Sequence, residues 1–374
     1  MKIAIYVQDM RASGVVRTML ATARVLTEGA DAITVLAGYR AGVFGGDDVA
    51  PADFVAAAER PGGRLPRLTL VPRLRRTLRA LRPDVVLSGG NFGHFSLWAA
   101  TRGLGLPIVY VFSNEMERAG QPWRNRWRRF WSGLLIGGSA RSILVGSGMA
   151  RSATFRPHLA SGRAVMIRNG IDLASIPAPS ADIPAVMAGR DPVVLAIGRL
   201  QPQKNFAALI EAIAVARAAR PLRLVVLGTG DEGHRHALLE LAEQRGIADS
   251  VTFAGVTDNV FPWLRAARVF ALPSRWEGSS IALLEALAAG TPVVVSRTAG
   301  DAADVLADGR YGLLVDPADA NAFAAALLRQ IDDPVVPGER VREFDAAAMV
   351  GAYHQLLIAA AARSPWSPGT PPIR

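Results

Sequence analysis

LPSRWEGSSIALLEALAAG, residues 272–290, begins at the end of an apolar run, crosses a loop of small residues and enters an apolar stretch of helical length. A strand that gives way to a helix within so few residues is the repeating unit of a parallel sheet, because parallel neighbours need a covering crossover between them. The same alternation runs along the chain. Short apolar runs KIAIYV, AITVLA, DVVLSG, PIVYVF, SILVGS and AVMIRN stand in the first half, and PVVLAIG, LRLVVLG, SVTFAG, VFALPS, PVVVSR and GLLVDP in the second. Runs that are apolar on both faces and separated by helical patterns predict an α/β protein made of two doubly wound, Rossmann-like domains. A length of 374 residues exceeds what one hydrophobic core usually supports and agrees with two.

The stretch DLASIPAPSADIPAVMAGRD, residues 172–191, carries Pro177, Pro179 and Pro184 among small residues without periodicity, and reads as a linker. It divides a first domain, 1–171, from a second, 192–340. A last helical pattern over 341–363 is placed to cross back to the first domain. The tail SPWSPGTPPIR, 364–374, is expected to be disordered because its prolines forbid regular structure. A ligand cleft is expected where the carboxyl ends of the two sheets face each other.

Composition narrows the function. The absence of cysteine excludes disulfides and thiolate metal sites. Met1 leads into a strand-like run with no signal-peptide pattern, and no run approaches the ~20 apolar residues of a membrane span. A cytoplasmic protein, soluble or peripheral on a membrane, is the expectation. The net charge of +10 is uneven: residues 1–59 carry −2, residues 169–374 carry −4, and residues 60–168 hold 19 arginines against three acids, a net +16. Such a field favours phosphates, whether of an anionic lipid, a pyrophosphate-linked acceptor or a nucleic acid. In GQPWRNRWRRFWSGLLIGG, Trp123, Trp127, Phe130, Trp131, Leu134 and Leu135 recur at helical spacing with arginines between them. That pattern fits a helix in an anionic bilayer interface and equally a core-packed helix with a basic outer side; the charge favours the membrane. No nucleic-acid-binding motif accompanies the charge, so no nucleic-acid partner is expected.

Glu277 sits at the loop-to-helix junction of the opening stretch, and eight residues along a helix place Glu285 about 12 Å away. A helix starting near Gly278 or Ser279 would offer the backbone N–H groups of Gly278, Ser279 and Ser280 to a diphosphate. Glu277 would then hold sugar hydroxyls and Glu285 ribose hydroxyls at the far end of the ligand. Taken alone, the two glutamates are as well explained by an acid favouring the helix dipole and by a solvated helix face. Gly198, Arg199 and Lys204 tip the balance. They come after the strand PVVLAIG in the same domain, where two cations would neutralise a leaving diphosphate.

These residues resemble a known family. The Arg199–Lys204 segment, LPSRWEG with Glu277 and Glu285, Asn169–Gly170–Ile171–Asp172 and AGTPVVVS look like the retaining glycosyltransferases of family 4, the glycosyl transferases group 1. The likeness is close over Val165–Ala325 and one of layout before it. It implies a GT-B architecture that needs no metal, with donor held by the second domain and acceptor by the first. It implies Arg199 and Lys204 as diphosphate ligands, Glu277 as the sugar ligand, Glu285 as the ribose ligand, and Val256 and Asp258 near the base. Where relatives often carry a paired-glycine loop near the start, this chain reads Ser13–Gly14–Val15–Val16–Arg17, leaving Gly14 as the tight-loop residue beside the diphosphate. Arg297 stands where many relatives have an acid.

Gly228, Gly230 and Gly233 match the G-x-G-x-x-G spacing, but no acid ends a following strand at the distance a dinucleotide ribose needs. They read as a tight strand-to-helix turn. In the first domain, Asn91, His94 and Ser113–Glu115 lie just past strands at their carboxyl ends; His94 would orient an acceptor hydroxyl or the reacting sugar and Glu115 would accept a proton, although a lone histidine is more often structural. His158, His234, His236 and His354 show no metal-ligand spacing, so neither a metal nor another cofactor is expected. The resulting expectation is a retaining, metal-independent hexosyltransferase that carries sugar from a nucleoside diphosphate, UDP by the family's habit, to a lipid-linked or polysaccharide-precursor acceptor at the cytoplasmic membrane face. A GT-B epimerase, a phosphorylase, and a non-catalytic sugar-nucleotide-binding scaffold are the rivals.

Overall fold

A computed structural model describes residues 1–11, 13–29, 31–61, 66–117, 120–179 and 182–364. Residues 365–374 of the expected disordered tail lie outside the described residues. The chain forms two units, one of Met1–Gly170 with the segment from Ala346 onward, the other of Ile171–Asp345.

The first unit is built on seven parallel strands: β1 (Lys2–Met10), β2 (Ala32–Gly42), β3 (Asp53–Ala58), β4 (Val85–Gly89), β5 (Ile108–Phe112), β6 (Arg141–Leu144) and β7 (Ala164–Met166), in the order β3-β2-β1-β4-β5-β6-β7. The second has six: β8 (Val193–Ile197), β9 (Arg223–Leu227), β10 (Val251–Gly255), β11 (Val269–Leu272), β12 (Val293–Ser296) and β13 (Leu313–Val315), in the order β10-β9-β8-β11-β12-β13. Both orders are doubly wound, as the alternation of runs predicts. Every residue of β4, β5, β11 and β12 is buried, because helices cover both faces and leave no polar side to the strand. Strand order reverses between β1 and β4 in the first sheet and between β8 and β11 in the second. The loops leaving those strands diverge to opposite faces and open a crevice at the carboxyl edge.

Of residues 172–191, expected as a linker, the described ones pack on the second unit. Met187 is buried in its core, Arg223 donates to the carbonyls of Val186 (2.8 Å) and Ala188 (2.8 Å), and Arg265 donates to Pro177 (2.6 Å). Residues 341–344 belong to a 3-10 turn, Gly338–Phe344, and the last helix spans Ala346–Ala361. That helix packs on the first unit. It buries Tyr353 together with Met349, Val350 and Leu357, the last three each a gain of about 1.5–3 kcal/mol of apolar transfer. His354 Nε2 meets Asp31 at 2.6 Å, and Met349 Sδ accepts from the Gly170 amide at 3.3 Å.

The helix Pro122–Gly137 corrects one expectation. Its apolar face is not turned to the core as a whole: Leu135 and Ile136 are buried with Ser132, whereas Trp123, Trp127 and Phe130 are exposed. At 3.6 residues per turn, the exposed aromatics lie opposite a side formed by Gln121, Asn125, Arg128 and Ser132. Arg128 is tied there to Asn125 Oδ1 (2.8 Å) and Gln121 Oε1 (3.0 Å). The Ser132 hydroxyl makes no hydrogen bond to the described residues, which costs on the order of 1–3 kcal/mol. In its first three turns this helix turns polar groups inward and aromatic rings outward.

Candidate active site

The second sheet's switch point gathers the residues expected to do chemistry. Arg199 and Lys204 leave the end of β8, Glu277 leaves the end of β11, and these strands are neighbours. The Lys204 ammonium reaches Glu277 Oε1 at 2.6 Å, and the Ser274 hydroxyl donates to the same oxygen at 2.7 Å. Glu277 is 6% exposed. Removing both ions from water is costly, so each is held by the other, and losing one would strand a buried charge. Gln203 spans the two loops: its Nε2 donates to the Trp276 carbonyl at 2.9 Å, and its own carbonyl accepts from the Arg275 amide at 2.9 Å. Asn205, in the left-handed region at φ 55°, accepts from Arg275 Nε at 3.1 Å and starts the helix Phe206–Arg217. Arg199 is exposed and makes no bond to the described residues, leaving its guanidinium available to a ligand.

The helix after Glu277 spans Ile281–Ala288, with Ser280 as its N-cap accepting from the Leu283 amide at 3.4 Å. It begins later than the expected Gly278 or Ser279. Those two residues lie in the loop before it, which is pressed against the turn following β12. At Gly300, with φ +62°, a Cβ would lie 2.6 Å from the Gly278 carbonyl oxygen, so only glycine fits there. The Thr298 hydroxyl ties that turn to the Ser274 carbonyl at 3.3 Å. Glu285 is 8% exposed, which removes the solvated-face explanation for it. Val256 and Asp258 are both exposed just beyond β10.

Two of the three spaced glycines are required by close packing of backbone on backbone. A Cβ on Gly228 would lie 1.9 Å from the Gly198 carbonyl oxygen, and one on Gly230 would lie 2.3 Å from that of Leu200. The turn after β9 therefore lies directly on the Gly198–Leu200 turn that carries Arg199, joined by a Leu200 amide to Thr229 carbonyl bond at 3.0 Å. Ser274, Gln203, Asn205 and Thr298 complete the supporting frame. None of these stands out in the sequence alone. The available signals are an asparagine directly ahead of a helix, at Asn205, and a serine three residues before Glu277, at Ser274.

At the first sheet's switch point, Ser13 caps the helix Gly14–Glu28 by accepting from the Val16 amide at 3.2 Å, and Gly14 is exposed in its first turn. Asn91 joins the loops after β4 and β5, accepting from the Ser113 amide at 2.9 Å and donating to the Asn114 carbonyl at 3.2 Å. His94 takes a structural place instead of the catalytic one expected. The ring is 1% exposed, its Nε2–H donates to the Val111 carbonyl at 3.2 Å, and Nδ1 accepts from the Ser88 hydroxyl at 2.8 Å. No nitrogen remains for a substrate. Burial lowers its pKa from 6.5 to about 3, the Val111 bond opposing only part of the shift. The unfolded chain therefore binds a proton that the native state refuses, and stability is expected to fall by about 1.4 kcal/mol per pH unit as pH drops below about 6.5. Urea unfolding at pH 6.5 and 5.0 checks this: His94→Gln should flatten the slope, and an unchanged slope would assign it to other groups.

Among the described residues, no group of three histidine, aspartate or glutamate side chains is placed to hold a metal ion, and no helix is long and apolar enough to cross a membrane.

Two doubly wound parallel units, with an acid and two cations at the switch point of the second, define the GT-B class of glycosyltransferases. The Glycosyltransferase Family 4 profile matches residues 12–175 and the Glycosyl transferases group 1 profile matches residues 191–333. The chain belongs to this family. It is 38% identical over 174 residues (44% of this chain, 49% of the relative) to the lipopolysaccharide core biosynthesis glycosyltransferase LpsE of Rhizobium meliloti. It is 39% identical over 168 residues (42% and 37%) to the D-inositol 3-phosphate glycosyltransferase of Acidothermus cellulolyticus. These matches span less than half the length of either relative. The fold is similar to that of Anabaena Alr3699/HepE, solved in complex with UDP and glucose, at a TM-score of 0.78 and 19% identity over 96% of this chain and 99% of that one.

Proposed function

We propose that the chain transfers a hexose from a UDP-sugar to a lipid-linked or polysaccharide-precursor acceptor at the cytoplasmic face of a membrane, with retention at the anomeric carbon. The observation that carries this reading is the Lys204–Glu277 pair at the second sheet's switch point, with the exposed Arg199 on the same β8 loop. Arg199 and Lys204 would meet the diphosphate, beside the loop of Gly278, Ser279 and Ser280. Glu277 would orient the sugar hydroxyls, Glu285 would accept from the ribose, and the backbone near Val256 and Asp258 would hold the base. As the bond from the anomeric carbon to the diphosphate oxygen breaks, the two cations stabilise the growing negative charge. The acceptor oxygen forms its bond on the same face, and its proton passes to the departing phosphate. Two side-chain cations meet the leaving charge in this scheme, so it calls on no metal.

UDP and glucose are what the Anabaena structure was solved with, and the Rhizobium relative is named for lipopolysaccharide core synthesis; both agree with this reading. The Acidothermus relative's name favours a second acceptor class, a soluble phosphorylated polyol, which the arginine-rich first unit would also suit. Competition between lipid-linked and soluble phosphorylated acceptors separates the two. The donor is tested by thermal unfolding with UDP-, GDP-, ADP- and TDP-sugars. A donor at about 100 times its Kd should stabilise the protein by about 2.7 kcal/mol, and Glu285→Ala should remove the shift. A folded protein that responds to no donor would favour the scaffold reading.

A further inference from the structure

We infer that the outer face of the helix Pro122–Gly137 is an anionic-membrane docking surface, with Trp123, Trp127 and Phe130 entering the headgroup boundary. The three rings are 77%, 61% and 58% exposed. They succeed one another along about 10 Å of helix axis, a line that can lie in the plane of a bilayer surface. Exposed Arg124, Arg126 and Arg129 flank them. Tryptophan is suited to headgroup depth, where its ring is apolar and its N–H remains wet.

The platform behind the rings is rigid. Trp127 packs edge-on to Phe130 at 6.0 Å between centroids, and Phe130 packs on Trp131 at 5.9 Å. Trp131 is wedged edge-on against Phe95 (5.5 Å) and Trp98 (5.8 Å) of the helix His94–Thr101. Trp127 and Phe130 are thus held outward by packing beneath them.

Charge selects the occupant. Arg124, Arg126 and Arg129 are exposed on the same helix, and residues 60–168 as a whole carry net +16, so the surface suits an anionic partner. A second copy docking symmetrically through the same face would set its arginines against themselves, and a neutral apolar partner would leave them unused. This surface belongs to the first unit and does not depend on the donor-site reading.

The test is flotation of the full chain with vesicles of phosphatidylcholine alone and of phosphatidylcholine with about a third phosphatidylglycerol. The wild type should float with the anionic vesicles and at least about tenfold less with the neutral ones, and lose binding as salt rises. The triple variant Trp123→Ser/Trp127→Ser/Phe130→Ser should bind at least about tenfold more weakly while keeping its unfolding temperature and its donor-induced shift. Arg124→Glu/Arg126→Glu should lower anionic binding without touching exposed apolar area. Equal flotation of wild type and triple variant would overturn the inference. So would absence of flotation, binding to single-stranded DNA in place of vesicles, or conversion of a dimer to a monomer by the triple variant with vesicle binding intact. A failed donor shift with normal flotation would count against the proposed reaction alone.

Discussion

Glu277→Gln is expected to lower stability, because Lys204 loses its counter-charge, but still to fold, and to lose roughly 10²–10³-fold in turnover, with a much smaller change in donor affinity. Glutamine keeps the shape of the side chain, and its amide oxygen can still accept from the Lys204 ammonium and the Ser274 hydroxyl, both of which now converge on Oε1. The negative charge is lost. In the resting protein that charge is shared with Lys204; as the sugar takes on positive character during bond breaking, a carboxylate holding its hydroxyls stabilises the transition state more than the ground state. Steady-state kinetics on the purified variant, with the nucleotide diphosphate and the glycoside measured together, gives the answer. Full turnover would remove Glu277 from the reaction and leave it as the counter-ion that holds Lys204.

Gly228→Ala should be the most damaging small substitution in the second unit, lowering stability by about 3 kcal/mol. The added methyl would fall 1.9 Å from the Gly198 carbonyl oxygen, and no rotamer change relieves a clash with backbone. For a unit of this size the melting temperature should drop by roughly 6–12 °C. Gly233→Ala is the contrast. Its Cβ would meet only the Asp231 side chain, at 3.2 Å, and it sits in the first turn of a helix where alanine is favoured. Calorimetry that ranked the two alike would show that the turns after β8 and β9 are not locked together. If they are, Gly228 and Gly230 of the spacing that mimics a dinucleotide fingerprint serve to seat the turn that carries Arg199.

The fold was legible because parallel strands are buried on both faces and leave unbroken apolar runs. Twelve of the thirteen strands correspond to such runs. The exception, β3 with the sequence DFVAAA, is an edge strand of mostly half-buried residues, and its alanines carry little strand signal. The placement of Arg199, Lys204 and Glu277 at neighbouring strand ends was legible for a related reason: the ends of strands are easy to find, and a switch point gathers the loops that leave them. The histidine was not. Whether a ring at a strand's end faces substrate or core depends on neighbours such as Ser88 and Val111, which periodicity does not reveal. The same limit applied to the helix of tryptophans, where spacing identified a helix but could not tell which side met the core. The prolines of residues 172–191 suggested a free connection, and two arginines far along the chain, Arg223 and Arg265, fasten it down.

The return of the last helix to the first unit also orders events at the ribosome. The second unit is one uninterrupted stretch, Ile171–Asp345, closed at its ends by a bridge between Ile171 and Asp345 in which the Ile171 amide donates to the Phe344 carbonyl at 2.8 Å. It can fold without any residue beyond 345, before the last helix has emerged. The first unit, although translated first, lacks the surface of Met349, Val350, Tyr353 and Leu357 until the final helix emerges. Its exposed apolar seam stays open for the time needed to synthesise the whole second unit, about 10–40 s at typical elongation rates. The second unit is thus complete before the unit that was begun first.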